Sequence, residues 1–266
     1  MDIKACLLPQ FQPYVDQFGM ITNNNQGLSV DNGNLFTAHY VYGLVANDLM
    51  TDLEKQRILQ VYRNNFMQPG LLSRKPGLVK NRQAQDDMYG LMGVEAMLSP
   101  LDRVMTKAMY EYGKISAKGI DLTEPDPQTE AKYYKWIKWA TLGRCRWVWN
   151  NISPGTFDDA SWLGRFPAFL AVMQMAAGDT VNPFNWLWWM ATSLRSAWFG
   201  TEADNNGDCL MLHGAIAARD YGFLTNFVCD QIHKGIKHKY GSAGGLMLDY
   251  FNDPKHPLVA LLKDVY

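Results

Sequence analysis

The strongest chemical signal in the chain is a pair of adjacent carboxylates, Asp86 and Asp87, in the run Gln83-Ala84-Gln85-Asp86-Asp87-Met88-Tyr89-Gly90. At a helix start, acidic side chains satisfy free N–H groups and suit the positive end of the helix dipole. The same placement can instead turn one carboxyl inward, where burial or a neighbouring charge raises its pKa and fits it for general acid or base work. Successive helix residues project roughly a quarter-turn apart, so only one of the two is aimed at a ligand.

Three other runs carry candidate chemistry. Asp31-Asn32-Gly33-Asn34 is turn chemistry in which Asp31 or Asn34 can cap a helix, with His39 about one turn further in. A hydrogen-bonded core histidine and an imidazole offered at the end of a helical barrel both remain open for His39. Gln68-Pro69-Gly70-Leu71-Leu72-Ser73-Arg74-Lys75-Pro76 presents Arg74, either in a solvated basic loop or as a two-pronged grip on a carboxylate. Asp204, Asn206 and Asp208 have calcium-loop spacing, but the glycine is misplaced and position twelve falls on Ala215, which excludes an EF-hand. Cys209 and His213 share a helix face as zinc ligands would, without a second pair to complete the site, so no metal is expected. His233 and His238, among lysines, read as surface residues, and His256 as part of a tail turn.

These residues must be positioned by helices. Periodicity and caps predict helices over 35–47, from the Thr51-Asp52-Leu53-Glu54 capping box to about 65, and over 84–98 and 101–112. Residues 66–83 form a long loop of the length that is often functional, and 117–127 break the pattern. Helices follow at 129–139, from Thr156 to 177 with a kink or division at Pro167, and over 184–199, capped by Asn182-Pro183. The segment 140–155 reads equally as helix or strand. Further helices span 208–220 and 224–237 after the loop 200–207, and the tail 241–266 carries short helices around Met247 and Val259. With an irregular stretch over 1–34, this is a single all-α domain of repeated antiparallel helical hairpins.

Composition narrows the functions. The chain has 266 residues, 47 % apolar and 19 % charged, enough to bury a substantial core. Twenty-five basic and 26 acidic residues give a net charge of −1, which removes any electrostatic case for a nucleic-acid or anionic-membrane partner. The apolar stretches 162–177 and 184–199 contain Arg165 and Arg195 and read as core helices, not membrane spans. Cys6, Cys145, Cys209 and Cys229 are widely spaced, so the expectation is a reducing compartment or a virion, with no disulfide framework; the first residues, Met1-Asp2-Ile3-Lys4, do not resemble a signal peptide. The sequence lacks G-x-x-x-x-G-K, G-x-G-x-x-G, H-E-x-x-H and G-x-S-x-G, and no cofactor is expected. Nine Trp, thirteen Tyr and twelve Phe either pack between helices or line a ligand groove.

The repeated hairpins, the aromatic content and the segment Gln85-Asp86-Asp87-Met88-Tyr89-Gly90 resemble the six-hairpin, or α/α-toroid, glycosidase superfamily. The Asp-Asp-Met-Tyr-Gly run is similar to a helix start in unsaturated glucuronyl and rhamnogalacturonyl hydrolases, where an aspartate is the acid/base. The resemblance implies a partial or complete toroid and a glycan-active hydrolase or lyase. Asp86 or Asp87 would then be the acid and Asp31 its partner, with Gln85, Tyr89, His39, Arg74 and His213 around an oligosaccharide or polysaccharide. Two other classes stay open: a non-catalytic subunit of a large or homo-oligomeric assembly such as a virus particle, and a metal-dependent hydrolase built on His39, Asp86 or Asp87, and His213.

Overall fold

Among the described residues, four helices begin where the side chain of a residue just before the helix accepts a hydrogen bond from a first-turn N–H. Thr51 Oγ1 accepts from Glu54 at 3.2 Å, Asn182 Oδ1 from Phe184 at 2.9 Å, Ser242 Oγ from Gly245 at 3.0 Å and His256 Nδ1 from Leu258 at 3.2 Å. The computed structural model describes residues 7–28, 32–67, 71–72, 85–119, 160–200 and 205–266. Within them the chain forms α1 (Gly33–Ala46), α2 (Asp52–Asn65), α3 (Gln85–Leu98), α4 (Val104–Gly119), α5 (Ala160–Ala177), α6 (Pro183–Phe199), α7 (Asn205–Ala218), α8 (Phe223–Tyr240), α9 (Ala243–Phe251) and α10 (Pro257–Leu261). The fold is all-α. A two-residue antiparallel ladder, β1 (Phe66–Met67) with β2 (Leu71–Leu72), sits in the expected 66–83 loop. The expected helix at 129–139 and the ambiguous 140–155 lie outside the described residues.

Two kinds of helix alternate. The described side chains of α1, α3, α5 and α7 are buried almost all round. The even-numbered helices bury one stripe: on α6 it is Asn185, Trp189, Ser193 and Ala197, one residue per turn. Contacts fix the directions. Asn34 meets Asp87 near the starts of α1 and α3, His39 meets His213 one level in, and Arg103 reaches the last carbonyls of α5 and α7 together. α1, α3, α5 and α7 therefore run parallel, with α3 lying between α1 and α7. α2, α6 and α8 run back outside them: Tyr62 near the end of α2 reaches Asn34, and Ser196 and Lys239 near the ends of α6 and α8 reach Asp208. One end of the bundle thus collects the starts of α1, α3 and α7.

The opposite end is tied by two buried charges. Glu95 spans the start of α4, accepting from Met105 N at 2.9 Å and Thr106 N at 2.6 Å. Arg103 adopts φ +43° and donates from Nη1 to Ala217 O at 2.6 Å and Ala176 O at 3.4 Å. These two residues account for the later start of α4. Leu101 and Asp102 are spent in a turn, with Asp102 and Arg103 N–H groups both donating to Ser99 O, and the first helical N–H groups belong to Glu95. Other boundaries also differ from expectation: α4 runs on to Gly119 and α8 to Tyr240. α7 starts at Asn205 and takes in Asn206 and Gly207 from the expected loop, and α5 runs undivided through Pro167, where one missing N–H does not end the ladder. Glu95→Ala should lower unfolding stability by about 2 kcal/mol or more in urea titration, because it leaves two buried N–H groups bare.

Candidate functional site

The three central helices touch where α3 has no side chain. A Cβ on Gly90 would lie 2.6 Å from the Asn34 carbonyl oxygen, and one on Gly93 would lie 2.7 Å from His213 Nδ1. This closeness encloses polar groups that must satisfy one another. Asn34 Nδ2 donates to Asp87 Oδ1 at 2.9 Å, Tyr62 Oη donates to the Asn34 carbonyl at 2.5 Å, and Asn65 Nδ2 donates to Asn34 Oδ1 at 3.4 Å. Asn34, Tyr62, Asn65 and Asp87 are fully buried. Burial, reinforced by the charge of Asp87, holds the Tyr62 phenol well above its ordinary pKa, so it remains a donor.

One level further in, His39 and His213 face each other. His213 Nε2 and His39 Nδ1 are 3.1 Å apart, the ring centroids are 4.4 Å apart, and the planes cross at 62°. Neither ring has any exposed surface. Burial pushes His39 down to about 3, and burial with the neighbouring His39 and His233 holds His213 well below the usual imidazole range. Both rings are neutral at neutral pH.

The rim of this end carries a second polar group. Asp208, fully buried in the first turn of α7, accepts from Lys239 Nζ at 2.5 Å, Tyr240 Oη at 2.5 Å and Ser196 Oγ at 3.3 Å. Burial, then the charges of Asp208, Asp86 and Asp249, push the adjacent Cys209 thiol up, so it stays protonated and is no nucleophile. Burial, with smaller contributions from Cys209 and Asp86, also raises Tyr250, whose Oη accepts from Asn32 Nδ2 at 3.4 Å. Asp86, Asn32, Asp208, Cys209, Asp249 and Tyr250 therefore share one neighbourhood. Trp198, partly exposed near the end of α6, lies two residues past Ser196 and packs against His238 at 5.7 Å.

The adjacent carboxylates thus have different fates. Asp87 is sealed against Asn34 beneath the rim, and Asp86 is half-buried on the Cys209 side. His39 and His213, expected at sugar subsites, are brought together, but as an enclosed pair. Tyr89, also expected there, is a core residue packed 5.4 Å from the Phe169 ring. Asp31, Arg74 and the Gln85 side chain lie outside what the structure describes. The described indoles Trp186, Trp188 and Trp189 pack along α6, and Trp186 Nε1 donates to Thr225 Oγ1 at 3.1 Å. Sequence reasoning missed Lys239 and Tyr240, because a basic last turn reads as an ordinary helix end. It also missed His256, which caps α10, has its Nε2 3.2 Å from the Thr22 carbonyl and stacks on Phe251 at 3.8 Å. His233, expected at the surface, is half-buried on α8.

Among the described residues, no three His, Cys, Asp or Glu side chains gather as a metal site, and no helix is long and apolar enough to cross a membrane. A cleft of about 230 Å³ between α4 and the turn after α5, lined by Lys107, Tyr110, Glu111 and Asp179, contains none of the expected site residues. The chain matches no protein-family model, no curated protein and no solved structure.

The glycine contacts generate a ranked prediction. Gly90→Ala meets backbone at 2.6 Å and should cost stability by about 3 kcal/mol, whereas Gly43→Ala meets only the movable side chains of Leu261 and Leu262 and should cost about 1 kcal/mol. Thermal and urea unfolding of the two variants checks the order.

Proposed function

We propose that this chain is a hydrolase of oligosaccharides or polysaccharides that works at the bundle end where α1, α3 and α7 begin, with Asp86 as its acid/base. The observation carrying this reading is the split between the paired carboxylates: Asp87 is locked into the packing by Asn34, and Asp86 stands half-buried at a rim shared with Asn32, Cys209, Asp249 and Tyr250. Parallel inner helices backed by antiparallel outer ones are also the arrangement from which an α/α toroid is built. In this chemistry Asp86 protonates the glycosidic oxygen as the bond to the anomeric carbon breaks. Water adds to that carbon, and a second carboxylate, Asp31 in the sequence reading, takes its proton. Arg74 and Gln85 would hold the sugar, and the exposed face of Trp198 is suited to stacking on a ring.

The test is hydrolysis of a panel of neutral and uronic-acid oligosaccharides, read as released reducing ends. Asp86→Asn should lose about a hundredfold or more in turnover with an unchanged melting temperature, since general acid–base catalysis contributes at least that much. Asp87→Asn should lower the melting temperature, because its partner Asn34 is then offered an amide in place of a carboxylate. Wild-type turnover by Asp86→Asn would overturn the assignment.

A second reading, a non-catalytic subunit of a larger assembly, is favoured by a different surface. Phe199 and Phe223 are each 85 % exposed, and Leu224 and Phe227 continue the apolar first turn of α8. On that reading the wild-type chain is inert on the whole panel and elutes as a large oligomer in size-exclusion chromatography with light scattering, and Phe223→Ser with Phe227→Ser returns it to a monomer.

A further inference from the structure

The His39–His213 pair joins two helices that otherwise meet mainly through α3. His39 belongs to α1 and His213 to α7, and the facing nitrogens are 3.1 Å apart in a fully buried setting. α3 approaches the same place with Gly93, whose missing side chain leaves room for the His213 ring. Among the described residues the outer nitrogens, His39 Nε2 and His213 Nδ1, find no hydrogen-bond partner. The ionisable groups on neighbouring helices are committed elsewhere. On α3, Asp87 is bonded to Asn34 and Glu95 to the start of α4. On α7, Asp208 is held by Lys239 and Tyr240. On α2, the Tyr62 hydroxyl donates to the Asn34 carbonyl. From α8 the half-buried His233 adds a group that, if charged, repels a charge on His213. Among the described residues no carboxylate is in place to compensate a positive charge on either ring.

We propose that the His39–His213 pair is an acid-operated latch: neutral, it ties α1 to α7 across α3, and proton uptake releases α7 and loosens the bundle end where these helices begin. The chemistry balances in protons. The neutral pair shares one N–H between the facing nitrogens. A first added proton leaves a buried cation with no counter-charge, and a second makes both facing nitrogens donors, so the bond is lost. The direction follows from linkage. Burial holds both imidazoles below the ordinary value, so the released state binds more protons than the closed one. Closure is at full strength above about pH 6.5 and weakens as pH falls towards the closed-state value of about 3 for His39. With two histidines, the closing equilibrium falls by up to about a hundredfold per pH unit within that window. Asp86 and Asp208 stand on the first turns of the helices involved, so the latch controls whether that rim is assembled, whatever reaction the rim performs.

The experiment is amide hydrogen exchange, corrected for intrinsic rates, with near-UV circular dichroism on the full chain from pH 7.5 to 4. Amides of α1 and α7 should lose protection in one reversible transition. The double variant His39→Gln/His213→Gln keeps an amide hydrogen bond without a titrating group and should move the midpoint down by one pH unit or more, and His233→Gln should leave it nearly in place. An unmoved midpoint in the double variant, or an equal shift in His233→Gln, overturns the proposal. Should the double variant not fold, 15N imidazole NMR of the wild type decides: both rings stay neutral until the transition and protonate with it, whereas protonation inside an unchanged fold overturns the latch.

Discussion

Everything central in this molecule is arranged around the two places where α3 offers bare backbone. At Gly90 the chain lies against the Asn34 carbonyl, and at Gly93 it lies against the ring of His213. An ordinary side chain at either position would hold α1 or α7 away, and the space between would need water or bulk to fill it. With the helices so near, Asn34, Tyr62, Asn65, Asp87, His39 and His213 are cut off from solvent and find their partners across helix boundaries. Polar groups in such a seam discriminate among helix registers more sharply than apolar packing does, since one residue of slip strands several of them at once.

The two ends of the bundle divide their labour. At one end Glu95 and Arg103 are consumed in holding helix termini, accepting bare N–H groups at the start of α4 and donating to the last carbonyls of α5 and α7. At the other end the starts of α1, α3 and α7 bring N–H groups and acidic side chains together, and the ends of α6 and α8 supply a serine, a lysine and a tyrosine to Asp208. The acidic rim therefore rests on helix starts while the bracing of helix ends is done at the opposite end of the bundle.

Much of this was readable in the residues. The hairpin order, the capping box at Thr51, the cap at Asn182 and the short tail helices follow from local patterns that depend only on neighbours in sequence. The quarter-turn argument anticipates that Asp86 and Asp87 meet different surroundings, because it is geometry intrinsic to one helix. Illegible features depend on what another helix brings. Nothing near His39 in sequence announces His213, 174 residues away, and the basic end of α8 does not reveal that Lys239 is spent on Asp208. The start of α4 was missed for a like reason, since its first N–H groups are taken by Glu95 on the preceding helix.

The last stretch of the chain closes the molecule on its beginning. His256 lies against the Thr22 carbonyl, Asn47 Nδ2 donates to the Leu261 carbonyl, and Asn32 donates to Tyr250, so sequence separations of 234, 214 and 218 residues are spanned at one flank of α1. Contacts this distant in sequence form late and slow the search for the native state. During vectorial synthesis α1 emerges long before the surface it needs on that flank is translated. Until then Phe36 lacks the rings of Tyr250 and Phe251 that cover it, and this strongly apolar helix is a natural holding point for chaperones on the ribosome.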